Sequence, residues 1–269
     1  MSPDTHPPLD LVSPAREHLP PDPAEERLAA LYDVGGPGTR HVRVNMVSSV
    51  DGAAWGPDHR SGSINDAADF RVFRVLRALA DVVVVGAGTA RAERYPVLDR
   101  PDGLEHLGGG APLELALVTR SGTLPTSVLD GARRPWVVTG RGGAGPAADA
   151  VGADRVIEVP GPAGDGDVDL VAAFDALAER GLTRVLSEGG PTLLATMLAA
   201  DVVDELCVTT TPELVGAGPA RIVSGPGPVG ASSAPPVPAT LGHLLVAPAS
   251  GTLVARWEVR RAAPGATLP

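Results

Sequence analysis

Apolar residues recur along this chain in two rhythms. Short blocks rich in valine and leucine alternate with longer stretches whose apolar positions return about every three to four residues. These are the patterns of buried strands and amphipathic helices. Strands are predicted at 41–47 (HVRVNMV), Val82–Val85, Leu115–Thr119, Trp136–Thr139, Arg155–Val159, Arg184–Ser187 and Glu205–Thr211. Helices are predicted at 22–33, with Asp22 as N-cap and Pro23 at the first helical position, and at 65–79, with Phe70, Phe73, Val75, Leu76 and Leu79 apolar. Further helices are expected from about Thr89 and at Gly145–Val151, Val168–Arg180 and Thr192–Ala200. Strands alternating with helices specify βαβ units and a largely parallel sheet, an α/β fold. The end of the chain breaks the alternation: 243–260 reads as two strands around Ser250-Gly251, an antiparallel hairpin.

Residues 1–22, dense in proline and aspartate, are expected to lack fixed structure, 23–262 to form one domain, and 263–269 to be a tail. The Gly/Pro-rich loops Pro101–Pro112 and Gly225–Pro238 are expected to be mobile. Composition narrows the function classes. Net charge is −10, which argues against nucleic acid or an anionic membrane as partner. All 22 basic residues are arginine, so a P-loop lysine, a lysine Schiff base and lysine-held pyridoxal phosphate are excluded. No apolar run approaches the ~20 residues of a membrane span, and the N-terminus lacks a secretory pattern, so a cytoplasmic protein is expected. The single cysteine, Cys207, cannot form an internal disulfide, and no His/Asp/Glu cluster has metal-ligand spacing, so no metal is expected. His41 and His59 have no evident partner and read as surface histidines, although a histidine near an active-site loop can also donate a proton.

Chemistry concentrates at two junctions. The first is Gly-Ala-Gly-Thr, 86–89, directly after the valine run. A strand-turn-helix junction converges free N–H groups on an anion. The dinucleotide fingerprint needs Gly or Ala where Arg91 stands, which disfavours a Rossmann fold. The turn is either a nucleotide site of another kind or a tight turn capped by Thr89. The second junction is VLSEGGPTLLATML, 185–198, where Pro191 also suits a plain helix start. Two such junctions at the carboxyl edge of one sheet can face one ligand.

Further motifs fall in order around them: Ser49, Asp51 and Gly52 after the first strand, Leu76-Arg77-Ala78, Asp81, Glu188 through Leu193, and DVVDELCVTTTPELVGAG at 201–218. Over roughly residues 40–260 the chain resembles the reductase domain of the riboflavin-biosynthesis deaminase-reductase, within the dihydrofolate-reductase-like superfamily. The resemblance implies a mixed, mostly parallel sheet flanked by helices, with the C-terminal antiparallel hairpin, usually as a homodimer. It implies NADPH as cofactor, with Val47, Ser49, Gly86, Gly88, Thr89 and Glu93 near the nucleotide and Gly189, Gly190, Pro191, Thr192 and Leu193 at the pyrophosphate. Arg120 and Ser121 are either a 2′-phosphate clamp or an exposed turn.

On the substrate side it implies Asp51, Ser61, Arg77, Leu98, Arg100 and Glu188. Asp51 equally suits an Asx turn, and Arg77 an exposed helix end. Glu188, at a strand end beside two glycines, needs donors. The implied reaction is reduction of the ribosyl group of 5-amino-6-(5-phosphoribosylamino)uracil, by hydride to C1′ of the ring-opened imine, with positioning supplying much of the rate. Two stretches depart from the family. Ser63-Ile64-Asn65 lacks the usual tryptophan, and Glu93–Arg100 replaces an Asp-Pro-x-Leu-Thr-x-Arg run, leaving Arg100 or Arg94 to hold the phosphate. The alternatives are a dihydrofolate or pterin reductase on the same scaffold, and a non-catalytic NADPH-binding module.

Overall fold

The structure, a computed structural model, describes residues 6–34, 38–131, 133–162, 164, 166–225 and 236–260. The strands are β1 (Leu9–Ser13), β2 (Glu17–Leu19), β3 (His41–Ser49), β4 (Val82–Gly86), β5 (Glu114–Thr119), β6 (Trp136–Thr139), β7 (Val156–Glu158), β8 (Arg184–Ser187), β9 (Glu205–Thr211), β10 (Ala239–Val246) and β11 (Leu253–Val259). The α-helices are α1 (Glu26–Tyr32), α2 (Ala67–Leu79), α3 (Ala87–Ala92), α4 (Arg141–Val151), α5 (Leu170–Glu179) and α6 (Pro191–Ala199). All described strands join one sheet in the order β2-β1-β10-β11-β9-β3-β8-β4-β5-β6-β7. Pairing is parallel from β9 through β7, and antiparallel from β9 outward to β2.

The valine run of β4 is apolar at every position because both faces of a parallel sheet are covered. Val83 and Val85 pack in the core with Leu28, Val72 and Leu76 of α1 and α2. Val82 and Val84 pack on the other side with Phe174 and Leu177 of α5 and Leu194 and Met197 of α6. Asp81 ties the start of this strand to β8: its carboxylate accepts from the Thr183 and Arg184 N–H groups and pairs with the Arg184 guanidinium at 2.5 Å. No helix among the described residues is long and apolar enough to cross a membrane.

The N-terminal segment differs from expectation. Residues 9–13 and 17–19 are strands, with β1 paired on β10 and β2 at the sheet edge. Leu9, Leu11 and Leu19 are buried there, an alternation outweighed in the sequence by the surrounding prolines. Arg71 of α2 pins this segment by donating to the carbonyls of Pro7, Leu19 and Pro20. It also forms a bidentate pair with Glu25, 2.7 Å on both arms. That pair shortens α1: Glu25 adopts φ 48° to reach Arg71, so the helix starts at Glu26, while Asp22 caps the preceding turn through the Ala24 and Glu26 N–H groups. Elsewhere α3 starts at Ala87 and α4 at Arg141, both earlier than expected. The 101–112 loop contains a 3-10 turn, Glu105–Gly108, with Leu104 buried in the core beside it. Most of the 225–238 loop and the C-terminal tail lie outside the described residues.

Under the antiparallel strands lies a buried ion cluster. Glu205 receives Arg43 Nε at 2.5 Å, and Arg256 Nε lies 2.8 Å from its other oxygen. Burial alone would raise the Glu205 pKa, but a bond from His41 and the charges of Arg43 and Arg256 hold the carboxyl far below the usual range.

Candidate active site

Two cavities open at the carboxyl edge of the parallel strands. The larger, about 850 Å³, runs from the β4–α3 turn past the end of β5 to the start of α6. The smaller, about 500 Å³, lies between α2, the loop at 54–62 and the end of β8. Gly88, Thr89, Gly190 and Pro191 line both, so the two cavities share a wall.

Glycine makes that wall possible. The Gly190 N–H donates to Thr89 Oγ1 at 3.0 Å, and the Gly86 N–H to the Gly189 carbonyl at 3.0 Å. A Cβ on Gly190 would sit 2.4 Å from Thr89 Oγ1, and one on Gly189, at φ +78°, 2.7 Å from Met46 Sδ. Thr89 is therefore the link between the two junctions rather than a helix cap. Gly86 and Gly88 face open space and leave bare backbone toward the larger cavity. At the start of α6 the N–H groups of Thr192 and Leu193 precede the first intrahelical bond, from Leu194 to Gly190, and are free to receive an anion. Arg120 and Ser121 line the same cavity from the end of β5. Their turn is pinned from behind, where Gly122 (φ +70°) lies against Gly143 of α4 so closely that an added Cβ would come 2.1 Å from the Gly143 carbonyl oxygen.

The smaller cavity has aromatic walls, Trp55, Phe70, Phe73 and Tyr95. Phe70 and Phe73, expected on the core face of α2, point here instead, because Val72, Val75 and Leu76 supply the core face. Glu188 accepts from both arms of Arg77, at 2.6 and 2.7 Å, and from the Tyr95 hydroxyl at 2.5 Å. The Arg77 guanidinium also lies 4.2 Å from the Phe73 ring centroid.

The family model of the RibD C-terminal domain matches residues 40–237. The chain belongs to the RibD C-terminal domain family. It is 28% identical over 182 residues to the 2,5-diamino-6-ribosylamino-4(3H)-pyrimidinone 5′-phosphate reductase of Archaeoglobus fulgidus, covering 65% of this chain and 82% of that one. To the protein of the same name from Methanothermobacter thermautotrophicus it is 30% identical over 192 residues, covering 70% of this chain and 85% of that one. A pyrimidine reductase-like protein of Corynebacterium diphtheriae superposes with a TM-score of 0.70 at 25% identity, covering 83% of this chain and 93% of that one. This RibD-type chain is thus an oxidoreductase with the mixed, mostly parallel sheet that the resemblance implied.

Within this RibD-type site the expected residues divide. Gly86, Gly88, Thr89, Arg120, Ser121, Gly190, Pro191, Thr192 and Leu193 line the larger cavity, and Ser61, Arg77 and Glu188 the smaller. Gly189 supports the wall without lining either cavity. Val47 and Glu93, expected at the nucleotide, line the smaller cavity alone. Glu93 fastens the loop by accepting from the Ser61 N–H at 2.8 Å and hydroxyl at 3.0 Å. Ser49 and Asp51 line neither cavity. Ser49 Oγ donates to Asp51 at 2.5 Å, and Asp51 accepts from the Val215 and Gly216 N–H groups, so it makes a turn and clasps a neighbouring loop. Leu98 is core. Arg100, expected at the substrate, is buried beneath the end of α2, donates to the carbonyls of Ala78, Ala80 and Ala111, and lines neither cavity. Unforeseen in the smaller cavity were Asn45, Trp55, Asp69 and Tyr95. Asp69 left a signal, an acid spaced with Val72 and Leu76 on the helix face that should be apolar.

Proposed function

We propose that the chain is an NADPH-dependent reductase of a phosphoribosylaminopyrimidine, the class named for the two archaeal relatives. The observation that carries this is the pair of cavities with a common wall, one suited to a dinucleotide and the other to a flat heterocycle. The residues fit the cofactor: bare backbone at Gly86 and Gly88, free N–H groups at Thr192 and Leu193 for the pyrophosphate, and the Arg120 fork with the Ser121 hydroxyl for the 2′-phosphate. Bound NADPH supplies hydride. The chain's own part is to orient the pyrimidine between aromatic walls, hold it against the Gly88–Gly190 wall, and exclude water with the loop that Glu93 fastens through Ser61.

One observation favours a second reading, reduction of a pterin or dihydrofolate. Arg77 is the only arginine lining the substrate cavity among the described residues, and Glu188 already holds it, so nothing there stands ready for a ribose phosphate. Consumption of NADPH with the phosphoribosylaminopyrimidine and with dihydrofolate separates the readings. Arg120→Ala is expected to weaken NADPH binding about 10- to 100-fold, the worth of charge-assisted bonds to a phosphate, and to leave NADH binding nearly unchanged. Equal loss for both nucleotides would remove Arg120 from the 2′-phosphate.

The reading includes a homodimer. One face of β9, β11 and β10 carries Leu206, Val208, Trp257, Leu241 and Leu244, all only half-buried, with Leu253 39% exposed. A second copy of the chain would cover this apolar sheet face. Sedimentation equilibrium should give twice the chain mass, and a monomer at micromolar concentration would refute it.

A further inference from the structure

Helix α2 carries three arginines, each three residues from the next, and they reach different parts of the molecule. Arg77 holds Glu188 in the substrate cavity, and Phe70 and Phe73 line the same cavity. Arg71 reaches instead into an N-terminal strap, residues 6–25. All five of its N–H groups are bonded there: one from Nε and one from Nη2 to Glu25, two from Nη1 to the carbonyls of Pro7 and Leu19, and the last to that of Pro20. Arg74 meets the same strap, with Nη1 2.7 Å from His6 Nε2, and its other arm donates to the Asp102 carbonyl at 2.6 Å. A guanidinium cannot accept a hydrogen bond, so Nε2 accepts and the His6 ring is neutral. Burial and the Arg74 charge both lower the His6 pKa, in keeping with that state. The same ring lies 6.2 Å from that of Phe70, centroid to centroid.

Fixed acceptors need a fixed strap, and the sheet supplies it. β1 pairs with β10 and β2 with β1, while Leu9, Leu11 and Leu19 are buried in the core. At its ends α2 is tied by other means: Asp66 accepts from the Thr252 hydroxyl at 2.6 Å at one end, and Arg77 grips Glu188 at the other. Arg71 and Arg74 supply polar ties in between, each directly following a phenylalanine of the cavity wall. The strap precedes residues 40–237, the stretch that the family model matches, so family membership gives it no role. We propose that Arg71 is a positioning residue of the substrate site: by binding the strap it fixes the turn of α2 that carries Phe70 and Phe73, and so sets where the substrate ring lies against the aromatic wall. This rests on the reductase reading above.

Without Arg71, the buried Glu25 carboxylate loses both donors, and buried acceptors without donors are unfavourable. The strap then relaxes away from α2 and takes His6 from beside Phe70. The nucleotide cavity is untouched, since no residue of α2 lines it. A positioning role therefore weakens substrate use and spares the cofactor.

The test is steady-state kinetics with whichever of the phosphoribosylaminopyrimidine and dihydrofolate the wild type reduces, at a temperature where the variants are folded. In Arg71→Met, kcat/KM for that substrate should fall about 10- to 100-fold, because small displacements of a positioning wall are costly. The Kd for NADPH should stay within about twofold of the wild type, as sites without shared partners are independent. Arg71→Lys, which keeps the charge but not the fork, should recover part of the loss. Leu177→Ala in α5 is the control: Leu177 is buried under the opposite face of the sheet and lines neither cavity, so its loss lowers the urea midpoint without moving the wall. His6→Ala leaves Arg71 in place and should raise the substrate KM about three- to tenfold, the worth of one aromatic contact. If Arg71→Met and Leu177→Ala lose the same fraction of kcat/KM, or if Arg71→Met weakens NADPH as much as substrate, the strap only stabilises the fold and the assignment fails. If Arg71→Met does not fold, His6→Ala decides, and a wild-type KM there overturns the proposal. A wild type that reduces neither compound overturns the reductase reading and this proposal with it, whereas variants with wild-type kinetics overturn the proposal alone.

Discussion

Glu205→Gln should destabilise the protein by about 3–5 kcal/mol, the largest single-residue loss expected here. Glu205 is 1% exposed and faces Arg43, itself nearly as buried, and Arg256. Gln preserves the shape and removes the only negative charge those guanidiniums meet at the cluster's centre. Arg43 then remains in a low-dielectric interior without a counter-ion, and Arg256 keeps only the exposed Glu258 at 3.5 Å. Arg43 cannot retreat, because its second arm is bound to the Tyr32 carbonyl in α1. The pH dependence has a definite sign. The folded pKa is depressed, so the stabilisation is complete above the ordinary value of 4.5 and is lost as the pH falls toward the folded value. Urea unfolding at neutral pH should show the full gap between variant and wild type, and an acid series should show it closing. A variant with the wild-type midpoint at neutral pH would mean the cluster contributes nothing net.

The sequence made the backbone-limited features legible. The valine run has one use in an α/β protein, a strand covered on both faces, and β4 has that place. The GAGT and EGGP junctions were readable because only glycine lets Gly190 approach Thr89 as closely as it does. Illegible were the choices that long polar side chains make among equivalent neighbours. Arg100 could have reached a ligand or the open carbonyls at the end of α2, and nothing local distinguishes them. The fold puts those carbonyls, and that of Ala111, within its span. Asp51 chose loop N–H groups contributed from 164 residues away, and Glu25 a guanidinium 46 residues away. The N-terminal strands were hidden for a related reason: LDLVS is too short to stand out among prolines, and its partner β10 lies at the far end of the chain. Asp69 stood out only as one polar letter in an amphipathic helix, since a cavity, unlike a core, leaves no period of its own.

Glu188→Gln should lower kcat/KM about 100-fold and destabilise by about 2–4 kcal/mol, and the comparison that explains it is the double variant Arg77→Met/Glu188→Leu. Glu188 is 3% exposed and Arg77 20%, so the pair sits at the inner end of the substrate cavity, partly shielded from water. Burial works against the Arg77 charge, yet Glu188 and Tyr95 more than offset it and hold its pKa above the ordinary value. Removing the charge alone leaves that guanidinium in the cavity without a counter-ion, and the one remaining carbonyl oxygen must serve both Arg77 and the Tyr95 hydroxyl. Removing both charges for apolar groups of similar volume should restore much of the stability, as buried pairs commonly allow. It should not restore turnover, because the ring of Phe73 loses the guanidinium stacked on it and Tyr95 loses its anchor. Denaturation and kcat/KM measured on all three variants decide the point. Stability regained without activity identifies the pair as positioning residues for the cavity wall. A double variant with wild-type turnover would show that the pair only holds α2 against β8, and that substrate orientation rests on the aromatic walls.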